Sequence, residues 1–194
     1  MKFKGFLIAA LPVLLLACNN QQQNKVDKNL NDDALLVENA KVEASSSNNA
    51  EPQSVEDFVK EAAIGGLMEV ELGRYVEQNA ANARVKNFGS MMVRDHSKAN
   101  DELKSIASQK NIQLPASMDE KHMNSVNDLK KKKGAELDKD YMSDMVDDHE
   151  KDVDKFRKQS EDGKDPEIKA FATKTLPVLQ THLDSAKSIH DALK

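Results

Sequence analysis

The chain carries the stretch Met92-Val93-Arg94-Asp95-His96-Ser97-Lys98, and a close copy of this stretch follows later. The copy, Met145-Val146-Asp147-Asp148-His149-Glu150-Lys151, starts 53 positions after the first and is identical at five of seven positions. An internal repeat of this kind predicts two related helical hairpins. On a helix, the Met and His of each copy share one face, and the Asp points about 100° to the side.

Apolar residues surround both copies at steps of three and four, the pattern of helices that face a core. The pattern predicts four long helices, each with one inward stripe. The stripes are Phe58, Ala62, Gly65, Glu69, Leu72 and Val76; Val85, Phe88, Met92, His96, Ala99, Leu103 and Ile106; Leu137, Tyr141, Met142, Met145, His149, Val153 and Phe156; and Ile168, Phe171, Thr175, Leu179, His182, Ala186 and Ile189.

Capping and turn residues predict where the helices begin and end. Ser54 and Asp57 resemble a capping box, and the stretch from Asn79 to Asn82 predicts a turn. The residue before Pro115 disfavours helix, so the second helix should end before 111. Gly163 predicts the end of the third long helix, and Asp165 followed by a proline predicts the start of the fourth.

The segment 111–136 either crosses between the two hairpins or contributes a fifth, short helix. A capping box at Ser117–Glu120 favours a helix from there, with Met123, Val126 and Leu129 inward. Gly134 predicts a kink rather than a full break. The chain is therefore expected to be all-α, with an antiparallel four-helix bundle at 54–194 and a short extra or crossover helix.

The composition excludes some classes of function. The net charge is −5, and 31% of residues are charged. An acidic chain is a poor general ligand for nucleic acid, so no nucleic-acid partner is expected. A nucleophile elbow and a glycine-rich phosphate loop are both missing from the sequence, which makes a hydrolase or a nucleotide enzyme an unfavoured interpretation.

The first 17 residues predict export. Lys2 and Lys4 precede a short apolar run, a secretory signal too short to span a membrane. The sequence Leu15-Leu16-Ala17-Cys18 resembles a bacterial lipobox, and that resemblance implies cleavage before Cys18 and its lipidation. An ordinary signal peptide with an incidental cysteine is the alternative. Acyl chains would hold the protein on a membrane without a transmembrane helix.

Residues 18–53 are predicted to be a disordered tether that starts at the lipidated cysteine. The runs 19–24 and 45–49 are built from Asn, Gln and Ser and cannot bury enough surface to fold. Because Cys18 is the single cysteine of the sequence, no disulfide or cysteine nucleophile is left for the helical part.

Each predicted stripe contains one residue able to bind a metal: Glu69, His96, His149 and His182. At a rise of 1.5 Å per residue, Glu69 and His96 should lie within about one helical turn of each other along the helix axis, and so should His149 and His182. Imidazole with carboxylate suits iron, zinc, manganese or copper. A buried hydrogen-bond network of the same four residues is the alternative, because a histidine on an apolar stripe is often only a core residue.

The remaining residues of the repeat have two interpretations. Asp95 and Asp148 could orient a histidine on a neighbouring helix, or they could be surface carboxylates. Met92 and Met145 lie one turn before the histidines and could act as soft ligands that favour copper, or they could simply fill the core.

The chain resembles an exported bacterial family of unknown function. The resemblance lies in the run 66–74, the motif Met92–His96, the run 141–149 and the pair of segments 171–172 and 176–183. Members of that family are often labelled outer membrane proteins. The resemblance covers about residues 54–193 and implies a ferritin-like helical bundle and a place in the cell envelope, facing the periplasm from the outer membrane. It implies no reaction.

Ferritin-like di-iron sites need a Glu three residues before each of two histidines. Here those positions hold Val93 and Val146, so a standard di-iron oxidase is not expected. Two functions stay open. One is a lipid-anchored envelope protein that binds or buffers a transition metal. The other is a non-catalytic interaction or stress-tolerance module, and the oligomeric state and protein partner are not predicted.

Overall fold

The computed structural model describes residues 54–194, and these residues form an all-α fold. Five helices follow one another: α1 (Val55–Asn79), α2 (Ala83–Gln109), α3 (Glu120–Lys130), α4 (Gly134–Asp162) and α5 (Pro166–Ala192). No strand occurs in this range, so the predicted helix class is confirmed there. None of these helices combines the length and the apolar content needed to cross a membrane.

The predicted capping residues are in place. The Ser54 hydroxyl accepts the backbone N–H of Asp57 at 3.1 Å, and the Asp165 carboxylate accepts two N–H groups at the start of α5. These contacts satisfy N–H groups that a helix leaves without an internal partner in its first turn. Gly163 follows the last residue of α4, as the sequence predicted.

The four long helices pack as two hairpins. α1 lies along α2 after a turn of three residues, 80–82, and α4 lies along α5. The hairpins meet through α2 with α5 and through α1 with α4. Such short turns make the two helices of each hairpin antiparallel.

The short helix α3 differs in two ways from its prediction. Its N-cap is Asp119, which accepts the N–H of His122 at 2.9 Å, rather than Ser117. Both residues are good N-caps, and the sequence alone does not choose between them. Met123, predicted inward, is 42% exposed, because α3 buries only Val126 and Leu129 in its C-terminal half.

Gly134 makes a full break between α3 and α4 rather than a kink. Its φ angle is 59°, in the left-handed region that glycine adopts without steric cost. A buried carboxylate, Asp138, then ties the start of α4 to the α1–α2 turn, accepting the N–H groups of Ala81 and Asn82 at 3.0 and 2.8 Å. This contact was not predicted from the sequence.

Two glycines let α1 and α2 touch backbone to backbone. A methyl group added at Gly73 would lie 2.8 Å from the carbonyl oxygen of Gly89, and one added at Gly89 would lie 2.8 Å from that of Gly73. A helix backbone cannot shift locally to relieve such an overlap, so any larger residue would separate the two helices.

Gly89→Ala should therefore destabilise the fold by about 1–3 kcal/mol, the usual cost of overpacking a core. Gly65→Ala is the matched control, since it has no atom within 4 Å of the added methyl group. The control should gain about 0.5–1 kcal/mol from the better helix propensity of Ala. Denaturant unfolding of both variants measures the difference, and a Gly89→Ala protein as stable as the wild type would contradict the close contact.

Candidate metal centre

The four polar residues of the predicted stripes lie buried together, one on each long helix. Glu69, His96, His149 and His182, which we call the polar layer, are each at most 6% exposed. Along α4, His149 lies between Met145, a member of one apolar cluster, and Val153, a member of the other. On each of the other long helices, most residues of the two clusters likewise lie on opposite sides of the polar residue, so the polar layer lies between two apolar clusters.

Glu69 is the carboxylate of the polar layer and lies between two of its rings. Its Oε2 atom is 2.7 Å from Nδ1 of His96, and its Oε1 atom is 3.5 Å from Nε2 of His149. The first distance is within hydrogen-bonding range, whereas Oε1 of Glu69 and Nε2 of His149 have no hydrogen-bond partner. Glu69 thus links α1 to α2 and faces α4.

Each imidazole has one nitrogen held by an acceptor. Nδ1 of His149 donates to the backbone carbonyl of Met145 at 2.9 Å, and Nε2 of His182 donates to Asp95 Oδ2 at 3.1 Å. For His96, the acceptor is Glu69. A carbonyl or carboxylate oxygen can only accept here, so these nitrogens carry the protons and the opposite nitrogens carry lone pairs.

The opposite nitrogens have no partner within residues 54–194. They are Nε2 of His96, Nε2 of His149 and Nδ1 of His182, and all three are buried. One ring nitrogen from each histidine lies within 4.8 Å of the others. Tetrahedral metal–nitrogen bonds of about 2.0–2.1 Å place ligand atoms about 3.3–3.4 Å apart, so binding one ion would shorten these distances by up to about 1.4 Å.

Burial keeps the three imidazoles of the polar layer in their neutral form. It lowers the pKa of all three imidazoles, and those of His96 and His182 fall to about 4. It also raises the pKa of the Glu69 carboxyl, although the nearby His149 ring acts in the opposite direction. Neutral imidazole is the form that binds metals, so at neutral pH no proton must be removed from these rings.

Asp152 is a neighbour of the polar layer that the sequence analysis missed. It lies one turn after His149 on α4, and burial followed by the charge of Glu69 raises its pKa. Its side chain is partly exposed, with Oδ1 3.8 Å from the Lys155 ammonium group. The spacing of three residues from His149 was the signal that could have identified it.

The two copies of the repeat use their aspartates differently. Asp95 holds His182 on the neighbouring α5, as predicted, and the Arg94 guanidinium helps to lower the Asp95 pKa to about 2. Asp148 instead lies 3.4 Å from the ammonium group of Lys151, one turn along its own helix. Its predicted role beside a histidine is therefore not seen, because the third ring, that of His96, is held by Glu69.

Met92 and Met145 are fully buried among aliphatic and aromatic side chains. Met145 contributes its backbone carbonyl to His149. The packing interpretation accounts for this placement. Cys18, the predicted lipidation site, lies outside the described residues.

Comparison with protein-family models gives a match to a domain of unknown function, DUF4142, over residues 40–189. The chain belongs to the DUF4142 family. This match confirms the predicted membership in a family of unknown function, and it begins before the first described residue. No match was found among curated proteins or among solved structures.

Proposed function

We propose that this DUF4142 protein is a lipid-anchored protein of the bacterial cell envelope that binds one transition-metal ion. The ligands are His96, His149 and His182. One observation carries the proposal: three buried imidazoles each direct a proton to an acceptor and leave the opposite nitrogen without a partner.

A hydrogen-bond network does not satisfy these nitrogens. All three carry lone pairs, so they can accept but cannot donate to one another. A buried acceptor without a partner costs about 1–3 kcal/mol. A single cation placed among the rings satisfies all three lone pairs together, whereas a proton on Glu69 could serve only one of them.

The arrangement of acceptors behind the rings also supports a metal. Ligating histidines usually donate their other N–H to a carboxylate or a backbone carbonyl, which fixes the ring and makes it more basic. Here the acceptors are Glu69, the carbonyl of Met145 and Asp95. In this proposal, Glu69 and Asp95 are positioning residues, and the negative charge of Glu69 offsets that of the cation.

Three imidazoles select among metals. Nitrogen donors favour zinc, copper or iron, whereas calcium and magnesium require oxygen ligands. The absence of carboxylates three residues before His96 and His149 argues against a di-iron centre. A site with three protein ligands holds an ion and leaves a fourth position free, which suits metal binding or buffering without requiring a reaction.

We further propose that the four long helices form an antiparallel four-helix bundle of the ferritin-like type. The support is the pairing of α1 with α2 and of α4 with α5, together with the long connection through α3 that joins the two hairpins. Bundles of this type commonly place metal ligands on the inward faces of all four helices.

The envelope location rests on the sequence of the N-terminal region. A basic start, an apolar run and Leu15-Leu16-Ala17-Cys18 support export, cleavage and lipidation at Cys18. The tether of residues 18–53 would then connect the lipid to the helical domain. We propose the periplasmic face of the outer membrane as its location.

Metal binding is measured with the intact protein, purified in detergent without an affinity tag, freed of metal with a chelator and titrated with Zn²⁺ in a calorimeter. We expect one ion per chain. Because the ion binds only the folded state, it should add about 2.7 kcal/mol of stability at a free concentration of about 100 times Kd.

The chain offers matched controls for this titration. His149→Gln and His182→Gln should lose the bound ion, whereas His122→Gln and His190→Gln, outside the polar layer, should keep it. If the wild-type protein takes up no stoichiometric Zn²⁺, Cu²⁺ or Fe²⁺, the metal proposal is wrong and the polar layer is only a structural network. Equal binding in all four variants would place the ion elsewhere.

The anchor is tested separately by the substitution Cys18→Ser. The wild-type protein should fractionate with membranes and incorporate labelled fatty acid, because a lipidated cysteine carries several acyl chains. The variant should lose the label and leave the membrane fraction after alkaline washing. Equal labelling of both proteins would rule out Cys18 as the lipidation site.

A further inference from the structure

The line of contact between α1 and α4, which we call the α1–α4 seam, contains a gap beside the polar layer. Glu61 of α1 pairs with Lys155 of α4 at 2.8 Å. Glu69 of α1 lies 3.5 Å from His149 of α4. Gly65 lies one turn from each of these two glutamates, so it shares their side of α1 and faces α4. Gly65 is partly exposed, and a methyl group added to it would have no atom of another helix within 4 Å, so the seam is open here.

Asp152 is the residue of α4 that lies opposite this gap. The two contacts across the seam pair position 61 with 155 and position 69 with 149, so α1 and α4 run in opposite directions. Position 65, halfway along α1 between the two contacts, therefore lies opposite position 152, halfway along α4. Asp148 lies one turn before Asp152 and shares its face of the helix. Both carboxylates therefore face the seam.

The carboxylates of the seam lead from the surface to the polar layer. The side chains of Asp148 and Asp152 are 34% and 25% exposed, whereas Glu69 is 2% exposed. Oε2 of Glu69 lies against His96 of α2, and Oε1, which has no hydrogen-bond partner, is the oxygen nearer to His149 of α4. The inner end of the seam thus holds a buried carboxylate oxygen that is free to accept.

The seam carries more negative than positive charge. Within residues 54–194, only two ammonium groups lie within 4.0 Å of its four carboxylates. The carboxylates are those of Glu61, Glu69, Asp148 and Asp152, and the ammonium groups are those of Lys151 and Lys155.

The two inner carboxylates lie close enough to oppose each other's charge. Burial, and then the charge of Glu69, raise the pKa of Asp152 to about 7. Lys155 offsets this only in part, because its ammonium group is 3.8 Å from Asp152, beyond hydrogen-bonding distance, and 2.8 Å from Glu61. A cation placed in the gap would relieve the repulsion between the two carboxylates.

We propose that Asp148, Asp152 and Glu69 form a capture site for a hydrated divalent cation, which then passes beside Gly65 to the three histidines of the polar layer. The inference rests on the proposed metal site. A hydrated cation contacts carboxylates through its own waters, so these side chains need not converge to the distance of direct ligands.

The first ring nitrogen on this path is Nε2 of His149, 3.5 Å from Oε1 of Glu69. Both atoms are buried, so the last step requires a local movement of side chains. In that step metal–water bonds break as metal–nitrogen bonds form, and no electron is transferred.

Entry is measured by mixing the intact, metal-free protein with Co²⁺ in a stopped-flow spectrometer, where the visible absorption of the ion changes when it binds imidazole. The wild type should bind one Co²⁺ per chain, more slowly at higher salt, because salt screens the attraction of the seam. Asp152→Asn should lower the second-order association rate several-fold and weaken its salt dependence. Asp154→Asn is the matched control, since Asp154 is on the same helix, 79% exposed and paired with Arg157. The control should stay close to the wild-type rate.

Gly65→Leu tests the gap. The added side chain should fill the open space, so Co²⁺ association and Co²⁺ release to a chelator should both slow several-fold, while the stoichiometry and Kd stay unchanged. Val178→Phe is the matched control, because Val178 is 39% exposed and lines a different opening, the small cleft between α2 and α5. Its rates should match those of the wild type, and slow rates in this variant alone would place the entry at that cleft instead.

The outcomes separate the two proposals. If the wild type binds no Co²⁺, the metal site and the capture site are both wrong. If Co²⁺ binds but Asp152→Asn and Asp154→Asn associate at equal rates, the capture site is overturned and the metal site stands. A Gly65→Leu protein that binds Co²⁺ as fast as the wild type overturns the passage beside Gly65 in the same way. Should Gly65→Leu fail to fold, the comparison of Asp152→Asn with Asp154→Asn decides alone.

Discussion

Three buried imidazole rings approach one another in the core, and each has one nitrogen that carries a lone pair and cannot donate to another ring. This constraint follows from the partners on the opposite side of each ring: Glu69, the carbonyl of Met145 and Asp95 are all acceptors. Buried polar atoms without partners are few in folded proteins, and each one calls for an explanation. The cation that we propose would satisfy all three rings at once.

The polar layer also shapes the packing around it. It divides the apolar side chains into two clusters, so neither cluster extends through the whole length of the helices. The close contact of Gly73 with Gly89 lies one turn from Glu69 and two turns from His96. By bringing α1 and α2 backbone to backbone, this contact favours the short distance between Glu69 and His96. The geometry of the site is therefore supported by the packing of the helices, and its burial favours the neutral imidazoles that bind metals.

Much of the fold could be predicted from the sequence, because periodicity and capping act locally. The stripes placed Glu69 and the three histidines inward, and Ser54, Gly163 and Asp165 marked helix ends correctly. Periodicity and capping do not predict the contacts between helices. The backbone contact of Gly73 with Gly89, the capture of the α1–α2 turn by Asp138 and the position of Asp152 all depend on which helices become neighbours.

The repeat shows the same limit of prediction from local sequence. Its two copies are nearly identical in sequence, yet Asp95 holds a histidine and Asp148 contacts a lysine of its own helix. The difference arises because α2 lies beside α5, whereas the ring that Asp148 might have held is already bonded to Glu69. Met123 was predicted inward from its spacing alone, but the buried residues of α3 all lie in its C-terminal half.

X-ray absorption at the metal edge of the loaded protein tests the central claim most directly, because it counts the imidazoles bound to the ion. The account predicts three imidazole nitrogens at about 2.0–2.1 Å and one further light atom. A shell made only of oxygen, a shell with a single imidazole, or sulfur scattering from Met92 or Met145 would contradict it.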